Sequence, residues 1–273
     1  MLPPSKVSPR VTAASHGDVP AHSTSFERTV LITGAAGAIG SATASRFLEL
    51  GMTVLGLDRS PRPGSISHAQ YRHVTVDLTD SRAAEVEIDG ALRGLPPLAH
   101  VVGIAGGALP FEPRTQDEPQ EITSDLFQQS LEANLTTQFT VLRVSLRYLT
   151  ATDERNRSVT LTSSFNALSA QGMPAYSAAK AGIIGMMYGL VKPLGVKGIR
   201  VNVVAPGTVR TPRTERLWSA ESGHFERLER GAALRRLASP ADIAEAFTSV
   251  ALMLRHMTGQ VLVIDGGQTV VHL

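Results

Sequence analysis

The segment TLTSSFNALSAQGMPAYSAAKAG, residues 160–182, holds a group of side chains able to move a proton. Tyr176 and Lys180 stand four apart at the start of a predicted helix, Tyr176–Leu194, so both project from one face. A phenol with an ordinary pKa near 10 is a poor acid–base catalyst at neutral pH. A neighbouring ammonium stabilises the phenolate and is expected to bring that pKa toward the working range. Ser163 and Ser164 end an apolar run and could offer a hydroxyl to the same reacting oxygen. By itself a tyrosine four residues before a lysine is an ordinary helix-surface pair, so the elements around it decide its meaning.

The second group lies in RTVLITGAAGAIGSATASRFLELGMTVLGLDRS, residues 28–60. An apolar run is followed by a small-residue turn, an amphipathic segment, a second apolar run and Asp58. The turn from Thr33 to Gly40 carries only Gly and Ala after Thr33 itself, apart from Ile39. Such a turn lets backbone approach a pyrophosphate, and the helix behind it presents free N–H groups and a positive dipole end. Gly34, Gly37 and Gly40 recur every third residue, off the usual G-x-G-x-x-G spacing. Asp58, 18 residues after Gly40, is placed to accept from both hydroxyls of an adenosine ribose and to repel a 2′-phosphate. This predicts NAD in preference to NADP; Arg59, next in the chain, is the residue through which NADP could bind instead.

From Thr29 onward short Val/Ile/Leu runs alternate with helical patterns. Strands are predicted at 29–34, 53–58, within 71–80, and at 100–107, 158–164, 199–206 and 260–267. Thr123–Leu149 reads as one long amphipathic helix, and Ser239-Pro240-Ala241-Asp242 as the capped start of another. Continuous apolar strands between helices specify an α/β fold, a doubly wound parallel sheet of about seven strands with helices on both faces. Residues 28–273 form one such domain with no compositional break. Residues 1–27, rich in Pro, Ser and Ala, read as a disordered extension.

Taken together these segments resemble the short-chain dehydrogenase/reductase family over residues 28–273. Thr33–Gly40 resembles the family's T-G-x-x-x-G-x-G cofactor loop, with Ala38 where the middle glycine belongs; Gly37 beside it is expected to supply the turn's freedom. The resemblance implies adenine-side contacts at Asp77 and Leu78. GIAG, residues 103–106, resembles the family's N-N-A-G, and Ala105 and Gly106 would meet the cofactor through their backbone. Gly103 and Ile104 replace both asparagines of that motif. APGTVRT, residues 205–211, resembles the segment that closes over nicotinamide, bringing in Pro206, Gly207, Val209 and Thr211. The catalytic set implied is Asn134, Ser164, Tyr176 and Lys180. Ser163, 13 residues before Tyr176, has the commoner family interval, whereas Ser164 is the second serine of the pair and is preferred. In that set Tyr176 exchanges a proton with a substrate oxygen, Ser164 hydrogen-bonds it, Lys180 holds the ribose and tunes Tyr176, and Asn134, where its helix is locally perturbed, anchors a water linking Lys180 to solvent.

The expected activity is hydride transfer between NAD and a small secondary alcohol or ketone. The alternatives are an NADPH-dependent ketoreductase and a non-catalytic NAD(H)-binding regulator on the same fold. A formal net charge of +2 without a basic block argues against nucleic acid as a partner. No apolar run is long enough for a membrane span, the absence of cysteine fits the cytoplasm, and no histidine has metal-ligand spacing. The resemblance also implies a homodimer or homotetramer through the helices at 123–149 and 176–194. Residues 211–231, with Arg213, Arg216, Trp218 and His224, read equally well as a lid or a surface helix pair. Residues 107–121 are expected to line the mouth of the site.

Overall fold

The computed structural model describes residues 27–270, except 116, 170, 171 and 220. The extension expected at the N-terminus therefore lies outside the described residues, apart from Glu27. Seven parallel strands form one sheet: β1 (Thr29–Thr33), β2 (Thr53–Asp58), β3 (Tyr71–Thr75), β4 (Leu98–Gly103), β5 (Arg157–Thr162), β6 (Ile199–Pro206) and β7 (Val261–Ile264). Their spatial order is β3-β2-β1-β4-β5-β6-β7. The order reverses between β1 and β4, and at such a switch point the carboxyl ends of the strands open a crevice for ligands.

The helices are α1 (Ala38–Glu49), α2 (Ser81–Leu92), α3 (Glu112–Thr115), α4 (Ser124–Leu131), α5 (Thr137–Ala151), α6 (Pro174–Gly195), α7 (Pro212–Leu217), α8 (His224–Gly231) and α9 (Pro240–Thr248). Alternation along the strands feeds two cores. Val30 and Ile32 of β1 pack with Phe47 of α1 and Phe247 of α9. Leu31, between them, faces the opposite layer with Ile88 of α2, Leu142 of α5 and Ile183 of α6. Strands buried on both sides favour apolar residues on both faces, which is why they read as near-continuous runs.

Capping fixes where several helices start. Ser239 and Asp242 form the reciprocal box predicted for α9, the Ser239 side chain accepting from Asp242 N at 3.2 Å and Asp242 accepting from Ser239 N at 2.7 Å. The helix predicted over Thr123–Leu149 is two helices: a π-helical turn at Glu132–Thr136 separates α4 from α5. The wider turn aims Asn134 inward, where backbone partners compensate the disrupted ladder.

Candidate active site

The turn between β1 and α1 is held open by Gly34 and Gly40. Gly34 has φ +67°, a left-handed conformation that side chains disfavour, and its N-terminal neighbour Thr33 ties down the next loop. The Thr33 hydroxyl accepts from Ile104 N at 2.9 Å and Ala105 N at 3.0 Å. A Cβ on Gly40 would stand 2.0 Å from the Gly34 carbonyl oxygen. Gly37 sits at ordinary φ −72°, so the turn's freedom comes from Gly34 and not, as expected, from Gly37 beside Ala38. Gly37 caps α1 without a side-chain hydrogen bond, leaving the first-turn N–H groups open.

Those N–H groups border a cleft of about 580 Å³ lined by Gly34, Ala38, Asp58, Asp77, Leu78 and Gly106, among others. The Asp58 carboxylate accepts from Ala36 N at 3.0 Å and Ser60 N at 2.9 Å, which fixes it at the edge of the glycine turn. Asp77 accepts from Thr79 N and Oγ1 at 2.9 and 2.7 Å, and these hydrogen bonds hold its carboxyl below the usual range. Arg59, Arg213 and Arg216 stand on the same cleft. The 103–106 segment, which lacks both asparagines, is held by threonine hydroxyls: Thr33 on Ile104 and Ala105, and Thr162 Oγ1 donating to Gly103 O at 2.6 Å.

A second pocket, of about 350 Å³, adjoins the first through Ile39, Ile104, Gly106, Gly107, Thr211 and Arg213, which line both. It holds Ser164, Tyr176 and Lys180 and is walled by Phe165, Met173, Leu217 and Trp218. The hydroxyl of Ser164 engages the Tyr176 phenol and also donates to Asn166 Oδ1 at 3.1 Å. Ser163, by contrast, spends its hydroxyl on the backbone carbonyl of Lys180, 2.8 Å away. Lys180 is buried, donates from Nζ to Thr162 O at 3.1 Å, and lies 5.5 Å from the Tyr176 ring centre.

The electrostatics differ from expectation. Burial pushes the Tyr176 phenol up to about 12, and burial pushes the Lys180 ammonium down to about 7. Both charged forms lose water on entering the pocket, and desolvation outweighs the help the cation was expected to give the phenolate.

Asn134 borders neither pocket. Its Oδ1 accepts from Gly107 N at 2.7 Å and its Nδ2 donates to Ser130 O at 3.1 Å, clamping the loop after β4. Pro206 ends β6, and a Cβ on Gly207 would meet Asp265 at 2.7 Å, so the C-terminal VIDGG segment braces this turn. Val209 is buried and pairs with Ala238, and the Thr211 side chain caps α7 by accepting from Thr214 N at 3.2 Å. Helices α7 and α8 supply Leu217, His224 and Leu228 to the wall of the second pocket, and Trp218 stacks on His224 at 4.2 Å. Arg213 reaches back from α7 to donate to Gly106 O and Ala108 O at 3.2 and 2.9 Å. Glu112, unmarked in the sequence, is buried beside this site. Among the described residues no cluster of His, Cys, Asp or Glu could hold a metal.

The profile described as Enoyl-(Acyl carrier protein) reductase matches residues 34–269. An uncharacterized oxidoreductase of Schizosaccharomyces pombe is 32% identical over 243 residues, covering 88% of this chain and 90% of that protein. The chain belongs to the short-chain dehydrogenase/reductase family. A solved oxidoreductase of that family from Burkholderia thailandensis superposes with TM-score 0.78 at 36% identity, covering 89% of this chain and 92% of its own. ElxO with NADP bound superposes at TM-score 0.79 over 89% of this chain and 98% of its own; at 23% identity that is likeness of fold. Members of the family are NAD(P)-dependent oxidoreductases acting on CH–OH or keto groups, and this chain is an enzyme of that kind. No described helix is long and apolar enough to cross a membrane.

Proposed function

We propose that this enzyme transfers hydride between NAD and a small secondary alcohol or ketone, with Tyr176 as general acid–base. The observation that carries the reading is the junction of the two pockets: a cleft with a free helix N-terminus and Asp58 opens into a pocket holding Ser164, Tyr176 and Lys180. The residues present fit a dinucleotide. Asp58 would hold the adenosine ribose, Asp77 and Leu78 the adenine side, and the 37–40 backbone the pyrophosphate. Ala105, Gly106, Lys180 and the segment from Pro206 to Thr211 would hold the nicotinamide half. When bound, this cofactor gives or takes hydride at nicotinamide C4.

The protein's own part is proton handling and exclusion of water. With its pKa raised, Tyr176 carries its proton at neutral pH and is ready to donate it to a carbonyl oxygen undergoing reduction. Ser164 donates a hydrogen bond to the same oxygen as charge develops there. Its contact with the phenol favours it over Ser163, whose hydroxyl is engaged with α6. Lys180, held by Thr162 O, provides a cation whose charge titrates near neutrality. Trp218, Leu217, Phe165 and Met173 give the pocket apolar walls suited to a small organic group.

The NADP reading draws on Arg59, Arg213 and Arg216 along the cleft; Asp58 at the turn's edge favours NAD. A regulator that merely senses NAD(H) has no use for a buried Ser164–Tyr176–Lys180 group. A panel of secondary alcohols and ketones, assayed with NAD and NADP side by side by cofactor fluorescence, tests the reading. Turnover preferring NAD is expected; turnover with NADP alone would overturn the cofactor assignment, and none with either would overturn the activity.

A further inference from the structure

Glu112 has no exposed surface, yet a carboxylate is rarely buried without compensation. Its compensation is a set of donors from three parts of the chain. Oε2 accepts from Leu109 N at 2.6 Å, Oε1 accepts from the Ser130 hydroxyl at 2.7 Å, and the backbone N–H of Tyr176 also acts on the carboxylate. Main-chain N–H groups can only donate, so the carboxyl meets them as an acceptor, and these hydrogen bonds favour its ionised form against the burial that opposes it.

The location gives this charge a consequence. Helix α6 starts from Met173, at φ +51° and without a side-chain cap, so its first turn presents unsatisfied N–H groups. Glu112 supplies from α3 the anion that a helix N-terminus favours. Ser130, which holds the carboxylate, also accepts through its carbonyl from Asn134 Nδ2, and Asn134 grips Gly107. A single carboxylate thus joins the loop after β4, helix α4 with its π turn, and the turn of α6 that carries Tyr176.

We propose that Glu112 is a positioning residue that fixes the start of α6 and sets the charge balance of the Tyr176–Lys180 pair. This rests on the hydride-transfer reading only for the kinetic consequence; the electrostatic one belongs to the folded chain. The charged and titratable groups facing Glu112 are Tyr176 and Lys180 on α6 and Arg213 on α7. Its negative charge opposes ionisation of Tyr176, favours the protonated form of Lys180 and partners Arg213. Burial pushes the Glu112 carboxyl up, while its three hydrogen bonds work to keep it ionised.

Glu112→Gln keeps the shape and removes the charge, and Glu112→Asp keeps the charge on a shorter arm. Lys180 is titrated by side-chain NMR of isotopically labelled lysine, its signal assigned with Lys180→Met, so that no substrate or turnover is needed. Glu112→Gln is expected to lower the Lys180 midpoint by at least about half a pH unit, and Glu112→Asp to recover most of it. The pH profile of kcat/KM should move in the same direction in Glu112→Gln. If that variant does not fold, Ser130→Ala replaces it: losing one donor raises the pH at which the carboxylate discharges, giving a smaller shift of the same sign. An unchanged Lys180 midpoint in the folded variant, or equal shifts in Glu112→Gln and Glu112→Asp, would overturn the proposal. Absence of turnover in the native protein would instead count against the hydride-transfer reading and leave the titration result standing.

Discussion

Gly37 and Gly40, three positions apart, should respond very differently to the same added methyl. In Gly40→Ala the new Cβ would lie 2.0 Å from Gly34 O, 2.7 Å from Gly34 C and 2.9 Å from Ala35 Cα, all of them backbone. No side-chain rotation relieves such an overlap, so the turn and α1 must separate by about 1 Å. Overpacking of this kind costs about 3 kcal/mol at the upper end. Gly→Ala inside a helix returns about 1 kcal/mol. The net loss of about 2 kcal/mol corresponds to a melting temperature lower by about 4–8 °C. Moving the N–H groups of α1 away from a phosphate should forfeit at least one charge-assisted hydrogen bond, about 1.5–3 kcal/mol, and weaken NADH binding about 10- to 100-fold. In Gly37→Ala the Cβ stands 3.3 Å from Gly34 O on a backbone with φ −72°, so melting should move by less than about 2 °C. Thermal melts, together with NADH titration followed by the fluorescence of the single tryptophan, Trp218, read both effects. A Gly40→Ala protein that melts and binds like the native one would refute the account of the turn.

Other outcomes follow from single contacts. Asp58→Ala removes the carboxylate held against Ala36 N and should shift cofactor preference toward NADP, read as the ratio of kcat/KM values; an unchanged ratio would contradict the ribose assignment. Lys180 has a folded pKa of about 7 against an ordinary 10.5, so its burial destabilises the fold fully below about pH 7, and the penalty fades as pH rises toward 10.5. The melting temperature of Lys180→Met should therefore exceed that of the native protein by more at pH 6 than at pH 9, and a constant difference would refute the burial argument. Phe139 and Tyr188 are 52% and 60% exposed on α5 and α6, the helices through which the family resemblance implies association. Phe139→Glu should lower the mass measured by light scattering, whereas an unaltered mass would place any contact elsewhere.

Much of this molecule was legible in the sequence because parallel strands buried on both faces leave a plain trace. Runs such as TVLIT and IRVNVVAP are buried throughout and mostly apolar, and the box at Ser239 and Asp242 is a local signal that tertiary contacts had no cause to override. The interruption of the helix at Glu132–Thr136 left no trace in periodicity, since leucines continue at helical spacing through it; only the family resemblance implied a perturbation at Asn134, which there grips Gly107, 27 residues away. The two serines could not be separated by counting, because the distinction lies in direction: Ser163 turns to α6 and Ser164 to Tyr176. Glu112 was invisible for the same reason. Nothing near it in the chain indicates that Tyr176, 64 residues on, will bring a backbone N–H to its carboxylate. The pKa expectation for Tyr176 failed because spacing reveals a neighbouring cation but not the water that both groups lose.

If Tyr176 passes the proton while hydride moves, Tyr176→Phe must separate cofactor binding from chemistry. Removing the phenol oxygen leaves the glycine turn and Asp58 untouched, so NADH should bind within about threefold of native while single-turnover hydride transfer falls about 10²- to 10⁴-fold. A folded Tyr176→Phe protein that binds NADH and still transfers hydride at the native rate would contradict the account.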